Sequence, residues 1–120
     1  MMKQFIIIGS INCLLAVALG ACGAHGLKSM ISTQALQTYT TGVNYHFFHA
    51  LGLLAIGIIL RDYPQAIMAG WLMLAGIILF SGSLYALSLT GIKPLGIITP
   101  FGGLCFMLAW GWLAISVYRS

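Results

Sequence analysis

The chain has 120 residues, which allows one domain at most. It is 61% hydrophobic and 5% charged, where a soluble domain carries about a quarter charged residues, so lipid rather than water is the expected solvent. The net charge of +4 comes from scattered Lys3, Lys28, Arg61, Lys93 and Arg119 against a lone acid, Asp62, with no basic cluster, and this excludes a nucleic-acid footprint.

A helix needs about 20 apolar residues to cross the hydrocarbon core. The first such stretch, residues 5–24, follows Lys3. It imitates a secretory signal, and Leu19-Gly20-Ala21-Cys22 imitates a lipobox, but it has the length of a full span and is expected to be one. A polar connection follows. In it Ser32 can cap a short helix over residues 33–40, with Ala35, Leu36 and Tyr39 on one face, expected to lie at the membrane surface. The second span, 43–60, is closed by Arg61-Asp62-Tyr63-Pro64. The third, 66–90, is closed by Gly91-Ile92-Lys93-Pro94. Both prolines sit where helices stop, because proline lacks an N–H and clashes with the preceding turn. The fourth, 95–118, ends at Arg119; its helix can instead begin with Thr99 as N-cap and Pro100 at the first helical position. The expected fold is therefore an all-α membrane protein. Residues 1–120 form one domain, a compact bundle of four transmembrane helices with a short amphipathic helix between the first two. Lys3, Arg61 and Arg119 fall on one side and Lys28 and Lys93 on the other, a bias that places both termini in the cytoplasm.

Sequence order also distributes the polar side chains. His25 ends the first span on the side of Lys28 and Lys93, where Asn44, His46 and His49 open the second. Ser81, Ser83, Tyr85 and Ser88 lie in the second half of the third span, and Thr99 opens the fourth. The other half of the membrane receives only Ser10, Asn12 and Ser116. The candidate site is thus a polar patch in one leaflet, made of His25, Asn44, His46, His49, Ser81, Ser83, Tyr85 and Thr99. His46 and His49, at i and i+3, are expected to share a helix face. Histidine inside a span points to a proton relay, a metal or a ligand, or else to hydrogen bonds that fix the packing. Packing is the first reading. No carboxylate or cysteine joins the histidines at ligand spacing, so no metal is expected. Tyr45, Trp110, Trp112 and Tyr118 read as interfacial anchors. Cys13, Cys22 and Cys105 form no CxxC and read as small apolar residues. Ala16, Gly20 and Ala24, and Gly82 with Ala86, mark expected helix contacts. The glycines form no phosphate loop, and no cofactor is expected.

Gly23-Ala24-His25-Gly26-Leu27, Tyr45-His46-x-x-His49-Ala50-Leu51, Leu79-Phe80-Ser81-Gly82-Ser83-Leu84-Tyr85 and Ile98-Thr99-Pro100-Phe101-Gly102-Gly103 with Gly111-Trp112 occur in this order. With them the chain resembles, over essentially its whole length, the YgdD-like family of small four-span membrane proteins, domain of unknown function 423. The resemblance implies an integral protein of the bacterial plasma membrane and brings no catalytic residues. It also implies that Cys22 stands where phenylalanine is usual, which makes the lipobox accidental. His46 stands where glutamine or another polar residue is usual.

The functional expectation is a structural, binding or accessory membrane subunit. Its partners are the lipid bilayer and either a second copy or another membrane protein, with no nucleic acid. The alternative is a transporter or channel for protons, ions or small molecules, working as an oligomer. An enzyme is not expected, because Asp62 lies at the wrong end to orient His49 toward Ser81 or Ser83.

Overall fold

The computed structural model describes residues 2–120. Helix α1 (Met2–His25) is followed by a 3-10 turn at Leu27–Ser29 and by α2 (Thr33–Ile59). The third span runs from a 3-10 turn at Pro64–Ala66 through α3 (Ile67–Gly76), a π-helical turn (Ile77–Ser81) and α4 (Gly82–Thr90). A further 3-10 turn (Lys93–Ile97) leads into α5 (Thr99–Tyr118). Four of these stretches are long and apolar enough to cross a membrane: Met2–His25, Thr33–Ile59, Pro64–Thr90 and Lys93–Tyr118. No strand occurs among the described residues.

Local chemistry sets the boundaries. The Ser32 hydroxyl accepts from the Ala35 N–H at 3.1 Å, as an N-cap does. The expected helix over residues 33–40 therefore forms, but it is not a separate surface helix. It is the first two turns of α2, continuous with the second span. No proline interrupts residues 33–59, and Gly42, the first glycine in them, is buried beside Leu84 and Tyr85 rather than in a bend. At the end of α4, Gly91 takes φ +72°, the left-handed cap that glycine adopts without strain, and its N–H bonds the Leu87 carbonyl at 2.8 Å. Thr99 lies inside α5 and does not cap it. The residue before it, Ile98, is already helical, because a 3-10 turn feeds α5 directly.

α2 and the third span are the inner pair. α1 packs on α2, and α5 packs on the third span. In the most apolar window of α1 and of α5 only 17% of residues are buried, against 44% for α2 and 39% for the third span, so α1 and α5 are the outer helices. The four-helix body is 49 Å long and 17 Å thick at its narrowest. Phe5, Leu53, Ile56, Leu60, Ala66, Ala69, Met73, Ile77, Phe106 and Ala109 form its apolar core. Most of these belong to the start of α1, the end of α2 and the start of the third span, so the core fills the half that carries the termini.

Small residues set the approach of the helices. In α1 the buried glycines and alanine are Gly9, Ala16 and Gly23, spaced by seven. A Cβ on Gly9 would lie 2.8 Å from the Leu54 nitrogen and 3.0 Å from the Ala50 oxygen. The expected rows are used only in part. Ala16 is buried and Gly20 approaches Val43, but Ala24 is exposed, and Gly82 is exposed on α4 with no close neighbour from another helix.

Candidate functional site: a polar patch shared by four helices

α2 supplies the centre of the patch. His46 and His49 are both buried, and they leave the helix toward different neighbours. Three residues of helix correspond to roughly 300° of rotation, so the two side chains diverge by roughly 60°. On an inner helix that is enough to aim one at α1 and α4 and the other at α5. The two share one broad face of α2 but meet different helices.

His46 bridges α1 and α4. Its Nε2 lies 2.9 Å from Asn12 Oδ1, and its Nδ1 lies 2.9 Å from the Tyr85 hydroxyl. The Asn12 amide nitrogen donates back to the Ile8 carbonyl at 2.8 Å, which turns Oδ1 toward the imidazole. Nε2 must then carry the proton and donate to Asn12, while Nδ1 accepts from Tyr85. Next to this triad the Tyr39 hydroxyl donates to the Leu19 carbonyl at 2.5 Å, and the Tyr39 and Tyr85 rings lie 5.3 Å apart.

His49 faces α5. Its Nδ1 donates to the Tyr45 carbonyl at 2.7 Å, and its Nε2 accepts from the Trp110 indole N–H at 2.9 Å. The carbonyl can only accept and the indole can only donate, so the neutral tautomer protonated at Nδ1 is required. The Phe106 ring stacks on the imidazole at 3.5 Å with an interplanar angle of 10°.

The third group centres on the π-helical turn. Ser81, at its end, donates to the Gly42 carbonyl of α2 at 2.7 Å. Ser83 donates to the Phe80 carbonyl at 2.9 Å, so the Thr99 hydroxyl, 2.5 Å away, is the donor between the two side chains. Thr99 thereby ties α5 to α4. Ser88 donates to the Tyr85 carbonyl within α4.

Six of the eight candidate residues thus enter hydrogen bonds that link helices or orient a group that does. His25 and Asn44 do not. His25 is exposed at the end of α1, and Asn44 is exposed beside a cleft between α1 and α2. Two partners were missing from the expected patch. Asn12 belongs to it and not to the opposite half, because Gly9 packs at Ala50 and that antiparallel register brings Asn12 level with His46. Trp110 is a partner of His49, not only an interfacial anchor. Trp112 does bond a loop, through the Gln65 carbonyl at 2.8 Å. The shared register would have revealed Asn12; depth counted from the nearest helix end hid it.

Between α2 and α5 a groove of about 770 Å³ opens sideways, walled by Tyr45, His49, Phe80, Phe101, Phe106 and Trp110. Its imidazole and indole nitrogens are already paired with each other. Among the described residues no three His, Cys, Asp or Glu side chains converge as a metal would require. Cys13, Cys22 and Cys105 are free thiols.

Comparison with known proteins adds the following. The family described as "Protein of unknown function (DUF423)" matches residues 19–103. The UPF0382 membrane protein YwdK of Bacillus subtilis (strain 168) is 51% identical over 121 residues, covering 98% of each chain. The UPF0382 membrane protein SAB0533 of Staphylococcus aureus (strain bovine RF122 / ET3-1) is 48% identical, and SSP2132 of Staphylococcus saprophyticus is 45% identical, each over 98% of this chain and 98% or 99% of its own. No solved structure matches.

Proposed function

This chain belongs to the DUF423 family of multi-pass membrane proteins, and from that premise we propose that it is a structural or accessory subunit of the bacterial plasma membrane, with both termini in the cytoplasm. Its polar patch fastens helices together and moves no solute. The observation that carries this reading is that every imidazole nitrogen of His46 and His49 already has a partner on the protein. A second proton on His49 would set its Nε2–H against the Trp110 N–H, two donors facing each other. A path beyond the patch would have to cross the apolar core at Phe5, Leu53, Ile56 and Met73, each 0% exposed.

The same bonds argue against an enzyme. Ser81 and Ser83 spend their protons on backbone carbonyls, and neither touches a histidine. Asp62 follows α2 at the far end. The lipid-facing sides of the outer helices α1 and α5 are the surfaces on which a second copy or another membrane protein would pack.

The test is flux and stability measured on the same protein. In liposomes the purified chain should pass protons and ions no faster than protein-free vesicles. The substitution His49→Leu should lower its melting temperature in detergent. Flux above background that His49→Leu abolishes in a still-folded protein would overturn the reading in favour of an oligomeric transporter or channel.

A further inference from the structure

We propose that the cleft between α1 and α2 is a binding site for one anionic phospholipid, a role separate from the fastening role of the polar patch. The cleft holds about 290 Å³ and is lined by Lys28, Thr40, Asn44, Gly20, Gly23 and Val43, among others. None of the side-chain hydrogen bonds within the described residues uses Lys28, Thr40 or Asn44, although neighbouring Thr38 and Thr41 bond their own helix. Three polar groups therefore surround one cleft with their capacity unspent.

Their order in depth matches the order of groups in a phospholipid. At 1.5 Å of rise per residue, Thr40 stands roughly 30 Å from Leu60 along α2, the thickness of the hydrocarbon core. Asn44 lies one turn inside that edge. Lys28 follows the end of α1 and lies outside it. Gly20 faces Val43, since a Cβ at Gly20 would lie 3.3 Å from Val43 Cγ1, and so it sits at the level of Asn44. From outside inward the cleft thus presents an ammonium and a hydroxyl, then an amide level with Gly20 and Val43 at its inner end, and one turn deeper the two helices expose apolar Val17 and Phe48. These suit a phosphate, an ester carbonyl and an acyl chain in turn.

Charge selects the anionic class. Lys28 and Lys93 stand at this end, and the only acidic side chain, Asp62, stands at the other, so no carboxylate competes for Lys28. Lys93 borders a different hollow, between the start of α2 and the end of α4, and so provides an internal control.

The experiment uses the full chain purified in mild detergent, with phosphatidylglycerol or phosphatidylcholine added and retained lipid read by native mass spectrometry. Phosphatidylglycerol should be retained in preference, one molecule per chain. Lys28→Gln should cut that retention roughly fivefold, the effect of one basic side chain at an anionic surface. It should leave the lipid-free melting temperature unchanged, because Lys28 is exposed. Asn44→Leu should weaken retention of both lipids. Equal retention of the two lipids by the unmodified chain would overturn the proposal. So would an equal loss on Lys93→Gln, which would reveal diffuse attraction in place of a site. Displacement of the lipid by millimolar inorganic phosphate would also overturn it, in favour of a free-anion site.

Discussion

At the scale of single residues, the two histidines differ in what can replace them. His46 gives one proton to Asn12 and takes one from Tyr85. A glutamine amide also offers a donor and an acceptor, so His46→Gln should keep most of the stability, whereas His46→Leu strands the Asn12 carbonyl and the Tyr85 hydroxyl. Thermal melts in detergent should separate the two variants by about 1–2 kcal/mol, the cost of leaving buried polar groups unpaired. His49 is less replaceable, because Phe106 stacks on its ring and Trp110 needs its unprotonated nitrogen. Trp110→Phe keeps an aromatic ring and removes the donor. A double-mutant cycle of Trp110→Phe with His49→Leu should show a coupling of about 0.6 kcal/mol, the average for inter-helix hydrogen bonds in a bilayer. Ser116 is the opposite case. Its hydroxyl is buried and has no partner among the described residues, so Ser116→Ala should raise the melting temperature.

At the scale of the helices, close approach separates essential glycines from permissive ones. A Cβ on Gly102 would meet the Phe80 backbone in the π-helical turn, and a backbone cannot swing aside as a side chain can. Gly102→Ala should therefore prise α5 from the third span and destabilise by about 1–3 kcal/mol. Gly111→Ala, on the same helix with nothing within 4 Å of the new Cβ, should be neutral or slightly stabilising. Melting both variants side by side tests the α5 interface directly. The four spans were legible in the sequence because hydropathy and the prolines at 64 and 94 report on one segment at a time. The contacts between spans were less so. The Gly82–Ala86 row has the right spacing but lies on an exposed face, and spacing carries no information about how a helix is rotated. Residues 33–40 looked like a surface helix because they are polar. Their polarity reflects the part of α2 that lies at and beyond the membrane edge.

At the scale of the whole molecule, the distribution of polar groups was legible while its wiring was not. Chain order alone gathers His46, His49, Ser81, Ser83, Tyr85 and Thr99 at one end, since alternate spans reverse direction. Asn12 and Trp110 entered only with three-dimensional register, because each partner lies on a helix distant in sequence. The orientation of the bundle is open to a direct test. A reporter fused after Ser120 should be active only in its cytoplasmic form, and a periplasmic signal would reverse the assignment of the Lys28 end as external. Intact-mass measurement should find residues 1–21 still attached, since α1 runs unbroken through Cys22 and Gly23 packs on Tyr39.

The bond from the Asn12 amide to the Ile8 carbonyl bears on biosynthesis. α1 is made first, and it can meet lipid before His46 reaches the membrane. During that interval the Asn12 amide can already donate within its own helix, leaving its Oδ1 acceptor open. When α2 follows, that acceptor, with the Leu19 carbonyl that takes the Tyr39 hydroxyl, registers the newcomer against its predecessor. The nascent hairpin therefore has a directional latch near mid-span before the third and fourth helices join it.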